Sequence, residues 1–250
     1  MHDRIDEAMK EILLTLRLAP EHADAQNNLG LAFEKLGQSD KAMTHYAEAI
    51  RMNPEHADAH SNLGLALKKQ GRTGDAVKHF MMALQIDPYH REANNNMGLL
   101  SENDGRMDEA LNYYEKALHN NPSYADGHNN LGNALIRSGK IDAAIEHIAL
   151  ALQLNPDFAE AEFNMGNCLL LKGRPDEAAY HYTKALGIKP DYPEALNNLG
   201  TALLRQGRYE DAIVYYRKAL LIRSDFQDAG KNLQIALRSV NKSKDGSDRR

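Results

Sequence analysis

The sequence predicts an all-α protein, a right-handed superhelical solenoid of helix–turn–helix repeats, each 34 residues long. Three observations carry this expectation. First, one 34-residue stretch recurs six times without a gap, at 23–56, 57–90, 91–124, 125–158, 159–192 and 193–226. A fixed period of this length marks stacked helix pairs, each burying its apolar face only against its neighbours. Second, small and large residues hold fixed columns. Position 8 is Gly from Gly30 to Gly200, position 20 is Ala from Ala42 to Ala212, and position 27 is Ala from Ala49 to Ala219. Position 24 is large and apolar: Tyr46, Phe80, Tyr114, Ile148, Tyr182, Tyr216. The small residues let two helices approach closely, and the large ones fill the space beside them. Third, the punctuation repeats. Gly at position 15 (Gly37 to Gly207) closes the first helix, where a left-handed residue is needed. Pro at position 32 (Pro54 to Pro190, then Ser224) marks the end of the second.

The elements follow in order. Residues 3–22 repeat only the second half of the pattern, with Ala8 at position 20, Ile12 at 24 and Pro20 at 32. Leu13 and Leu14 stand where other repeats carry charge, such as Glu115 and Lys116. This half repeat is expected to leave Ile5, Met9, Leu13 and Leu16 under-covered and to drive self-association. Each full repeat reads as about 14 residues of helix, a short turn, and about 14 more. Pro175 falls at the start of a second helix, where its missing N–H costs little. Gly74 and Gly187 lie at helical positions and loosen their repeats locally. Residues 227–240 repeat the first helix, with Leu233 at position 7 but Gln234 in place of Gly, and read as a solvating cap. A single solenoid is therefore expected over 3–240. The polar end, 241–250, lacks apolar periodicity and is expected to be disordered.

Net charge is −5 with both signs mixed, which argues against general nucleic-acid binding. No apolar run approaches the length of a membrane span, and residues 1–10 do not read as a signal peptide. The single cysteine, Cys168, stands at position 10 among Ala and Leu equivalents and reads as a small buried residue. With no second cysteine there is no intramolecular disulfide, so a reducing, cytoplasmic location is expected.

This pattern resembles the tetratricopeptide repeat family over about nine tenths of the chain. The family's usual Trp at position 4 is absent; Gln26, His60, Asn94, His128, Glu162 and Leu196 stand there. The resemblance implies a concave groove lined by the first helices. Position 6 faces that groove in the family, and here it is always Asn: Asn28, Asn62, Asn96, Asn130, Asn164, Asn198, and Asn232 in the cap. Asn is a mediocre helix former, so propensity does not explain the column. Each amide offers two donors and an acceptor, and a row of them suits the backbone of an extended peptide. The alternative is that each Asn bonds a neighbouring helix and fixes stacking. The repeats carrying Asn-Asn-Leu-Gly, as at 27–30, look like the superhelical repeats of O-linked N-acetylglucosamine transferase.

Position 2 is acidic throughout, including Asp58, Glu92 and Asp126, and shares a helix face with position 6. It reads either as an acidic stripe beside the Asn row or as favourable charge in the first helical turn. Position 12 is charged in repeats 1 to 3 (Glu34, Lys68, Glu102) and apolar in 4 to 6 (Ile136, Leu170, Leu204). Position 9 runs the other way, from Leu31, Leu65 and Leu99 to Asn133, Asn167 and Thr201. An apolar anchor pocket is expected around Phe163 and Leu170. The Lys, Asn and Arg clamp of chaperone-binding relatives is missing at positions 5 and 6.

The eleven histidines form no compact cluster with carboxylates or Cys, so no metal site is expected. No nucleophile–base motif, phosphate loop or dinucleotide fingerprint is present, and neither catalysis nor a cofactor is expected. The functional expectation is a non-catalytic scaffold that binds an extended peptide or partner segment. The alternative is a substrate-recruiting module of a glycosyltransferase or other enzyme whose catalytic domain lies elsewhere.

Overall fold

A computed structural model describes the backbone of residues 2–247 and the side chains of residues 5–241. Among the described residues there are fourteen α-helices and no strand. They are α1 (His2–Leu18), α2 (Ala23–Lys35), α3 (Ser39–Met52), α4 (Ala57–Lys69), α5 (Thr73–Ile86), α6 (Arg91–Asn103), α7 (Met107–His119), α8 (Ala125–Arg137), α9 (Ile141–Leu154), α10 (Ala159–Leu171), α11 (Pro175–Ile188), α12 (Pro193–Arg205), α13 (Tyr209–Ile222) and α14 (Gln227–Ser247). The pairs α2/α3 through α12/α13 are the six repeats.

The pairing within a repeat rests on position 8. A Cβ added to Gly30 would stand 2.5 Å from Cε1 of Tyr46, and one on Gly132 would stand 2.5 Å from Cγ1 of Ile148. Those position-24 side chains, with Ala at 20 and 27, are fully buried in every repeat. Position 15 does what the sequence asks of it. Its six glycines have φ between 71° and 77°. Around Gly37, the N–H of Gln38 reaches Phe33 O at 2.9 Å and that of Gly37 reaches Glu34 O at 2.9 Å. This is the left-handed helix stop that satisfies the last carbonyls.

The helices fall into two compact units, residues 1–122 and 123–250. The helix before the boundary differs from its equivalents. Second helices α3, α5, α9, α11 and α13 run through position 30, which is Met52, Ile86, Leu154, Ile188 or Ile222. In α7 that position is Asn120, the helix stops at His119, and the capping residue keeps φ −98°, ψ 1° instead of extended backbone.

At the other end, α14 continues to Ser247. Residues 248–250 lie outside the described residues.

Candidate functional site

Within each unit, successive first helices touch: α2 with α4, α4 with α6, then α8 with α10, α10 with α12 and α12 with α14. No two second helices do so among the described residues. The first helices therefore form the inner wall of each unit, and their positions 2, 6, 9 and 13 share one face.

The asparagines on that wall are zipped to one another. Asn62 Nδ2 donates to Asn27 Oδ1 at 2.9 Å, Asn164 to Asn129 at 2.9 Å, and Asn232 to Asn197 at 2.9 Å. Position 6 of one repeat thus bonds position 5 of the repeat before it. Where position 5 is not Asn, the bond is rerouted. Opposite Ser61, Asn96 donates to its own helix at Glu92 O (2.9 Å) and accepts from Lys68 Nζ (2.9 Å). Opposite Phe163, Asn198 donates to Asn167 Oδ1 at 2.8 Å. Asn96 and Asn164 are buried, Asn62, Asn130, Asn198 and Asn232 half-buried, and Asn28 exposed.

The opposed trends at positions 9 and 12 have a packing cause. A buried tyrosine hydroxyl at position 24 needs an acceptor. In repeats 1 and 3 it is position 12: Tyr46 bonds Glu34 and Tyr114 bonds Glu102, both at 2.9 Å. In repeats 5 and 6 it is position 9: Tyr182 bonds Asn167 at 2.8 Å and Tyr216 bonds Thr201 at 3.2 Å. Burial raises the Tyr46, Tyr182 and Tyr216 hydroxyls above the ordinary phenol range. Phe80 and Ile148 carry no hydroxyl, and there position 12 is Lys68 or Ile136.

The acidic column is engaged from the far end of the same repeat. His90 Nε2 meets Asp58 at 3.0 Å and holds that carboxyl below its usual range, while His56 Nε2 lies 3.2 Å from Asp24. Glu160 pairs with Lys189 at 3.2 Å, and Glu194 with Arg223 at 2.7 Å. Glu92 contacts Arg91. Asp126 is exposed in the first turn of α8. Phe163 is half-buried, its ring 5.0 Å from that of Tyr192 and 5.9 Å from that of Tyr182. Leu170, also half-buried, lies seven residues further along α10, and its carbonyl accepts from Arg205 at 2.8 Å.

A family model described as tetratricopeptide repeat matches residues 3–49, 95–157 and 129–193. A second with the same description matches 57–90 and 193–226, the limits of repeats 2 and 6. The chain belongs to the tetratricopeptide repeat family. Among solved structures, YrrB, described as a tetratricopeptide protein with an unusual peptide-binding site, is 26% identical with a TM-score of 0.60, over 74% of this chain and 95% of that one. The anaphase-promoting-complex Cut9–Hcn1 assembly has a TM-score of 0.79 at 16% identity; the match covers 94% of this chain but 46% of that one. PilW, a type IV pilus biogenesis factor, has a TM-score of 0.69 at 21% identity, over 86% and 98% of the two chains. The last two show the fold alone. No curated protein sequence matches the chain.

In this tetratricopeptide chain the missing Trp is replaced by polar pairs between positions 4 and 23. Gln26 meets His45 at 2.8 Å, His60 meets His79 at 3.1 Å, His128 meets His147 at 3.0 Å, and Glu162 meets His181 at 2.5 Å. Glu162 is 1% exposed and is also held by Lys184. Every one of these pairs joins residues 19 apart. A second set of histidines caps helices: Nδ1 of His22, His56 and His90 accepts from Ala25, Ala59 and Ala93 N at 3.3, 3.4 and 3.3 Å. No group of three or more metal-ligating side chains is found among the described residues. Cys168 is buried and its thiol is pushed up to about 11, away from thiolate chemistry. No described helix is long and apolar enough to cross a membrane.

Proposed function

We propose that the protein is a non-catalytic interaction scaffold whose inner wall binds an extended peptide segment. The observation that carries this is the position-6 row. After each ladder bond is made, most of these amides retain at least one N–H, and Asn28 has no bond to any described residue. The row therefore does two jobs: it fixes the stacking of repeats and offers donors at one per repeat. Asp58, Glu92 and Asp126 border it, and Phe163 with Leu170 supplies apolar surface in unit 2. A peptide library selected against the wild-type chain and re-measured against Asn28→Ala with Asn198→Ala tests this. Affinity is expected to fall by about tenfold, two hydrogen bonds' worth. Unchanged affinity in the folded variant would refute it.

The likeness of the row to O-linked N-acetylglucosamine transferase repeats supports a second reading, in which the wall recruits substrates for a catalytic domain carried elsewhere. Co-purification of a sugar-transfer activity from the native source tests that. We further infer self-association through α1, where Leu13 and Leu14 are 45% and 56% exposed.

A further inference from the structure

At Phe163 the ladder is rerouted in a way that fixes what one amide, Asn167, can offer. Phe163 has no acceptor to offer, so Asn198 turns to Asn167. Oδ1 of Asn167 then receives two donors, the Tyr182 hydroxyl and Asn198 Nδ2, both at 2.8 Å. A carbonyl oxygen has two lone pairs, so its acceptor capacity is filled while both Nδ2 hydrogens remain. The chain of amides continues in the same sense. Asn198 Oδ1 accepts from Asn197 Nδ2 at 3.0 Å, and Asn197 Oδ1 accepts from Asn232 Nδ2 at 2.9 Å. Asn197 and Asn198 each accept once and donate once in this network, so the amide whose carbonyl is filled while both N–H groups remain is that of Asn167. At Asn167 the amide therefore meets a ligand as a donor only.

Phe163 stands four residues before Asn167 on the same face of α10. Its half-buried ring leans on Tyr192, and Lys189 covers a face of Tyr192 at 4.6 Å. Aromatic surface and the two N–H groups of Asn167 thus lie side by side on the inner wall of unit 2.

We propose that this corner binds a proline-rich segment in the polyproline II conformation. Such a helix makes no internal hydrogen bonds and turns its carbonyls outward, and proline brings no N–H. A donor-only amide beside an aromatic ring suits a ligand that offers acceptors and apolar rings. An ordinary extended chain brings an N–H at every residue, and one facing Asn167 would be left unsatisfied. Pyrrolidine rings pack on aromatic side chains, the usual companion of this recognition mode. The pitch also agrees: three residues rise about 9 Å, and neighbouring helix axes stand about 8–10 Å apart, so one ligand face meets α10 and then α12. This rests on the inner-wall reading above and names its ligand class.

The test is fluorescence anisotropy with the full chain and two labelled probes: acetyl-(Pro)9-amide and the proline-free acetyl-(Gly-Thr-Ser)3-amide. The polyproline probe is expected to bind at least about tenfold tighter, having less chain entropy to lose. Asn167→Asp keeps an acceptor for Tyr182 and Asn198 but faces the ligand with a carboxylate, and should weaken polyproline binding by about tenfold or more. Phe163→Leu keeps apolar volume and should weaken it by about threefold through loss of the ring. Circular dichroism melts establish that both variants fold. If the proline-free probe binds as well or better, this inference fails and the inner-wall reading stands. If neither probe binds, both fail. Polyproline affinity unchanged in the two folded variants would overturn the placement.

Discussion

Replacing one glycine with alanine should have opposite effects at two places 21 residues apart. Gly166, at position 8 of repeat 5, lies against Tyr182. A Cβ there would stand 2.6 Å from Cε1 and 2.7 Å from Cδ1 of the ring, against an ordinary contact of about 3.5–4.0 Å. The ring must retreat by about 1 Å, yet it is fully buried and its hydroxyl is tied to Asn167. Overpacking of this kind costs about 1–3 kcal/mol, and weakening the hydroxyl bond about 0.5–1.5 more. Better helix propensity returns about 1 kcal/mol, so Gly166→Ala should destabilise by about 1–3 kcal/mol. Gly187 lies in α11 with nothing within 4 Å of a built Cβ and no positive φ. There Gly187→Ala should gain about 0.8–1 kcal/mol. Urea melts followed by far-UV circular dichroism compare the midpoints. In a thermal melt, each kcal/mol corresponds to about 2–4 °C for a chain of this size. A Gly166→Ala protein as stable as wild type, or a Gly187→Ala protein less stable, would refute the packing argument.

Three further outcomes are expected. Asn164→Ala leaves the buried Asn129 carbonyl without its ladder donor and should cost about 1–3 kcal/mol, read as a lower urea midpoint. His60 donates from Nε2 to Pro54 O at 3.1 Å, so its Nδ1 accepts from His79 Nδ1–H. Desolvation is the main cause holding both rings below the ordinary histidine pKa; His56 adds to this at His60, and Asp75 opposes it at His79. The unfolded chain therefore binds protons first, and stability is full above about pH 6.5 and falls as pH drops below it; His79→Gln should flatten that slope in melts from pH 7.5 to 5.5. Finally, Leu13→Glu with Leu14→Glu should convert a concentration-dependent assembly to monomer in sedimentation equilibrium, and a wild-type chain that is monomeric throughout would exclude association through α1.

The sequence alone determined the repeat. Gly at 8, large residues at 24, Gly at 15 and Pro at 32 recur at one spacing, and each has a local reason that survives translation along the chain. It also placed the Asn row, because a polar column at helical spacing is visible without coordinates. Only the tertiary structure decided what each Asn does, since that depends on a residue 35 positions away in the preceding repeat. The trade between positions 9 and 12 looked like groove chemistry in the sequence. In the fold it follows from where a buried tyrosine hydroxyl finds its acceptor, a matter of helix–helix registration that no single column records. The histidine pairs at positions 4 and 23 were likewise two separate columns until α-helices brought them together. The earlier end of α7, at His119, goes with Asn120 at a position that is otherwise apolar.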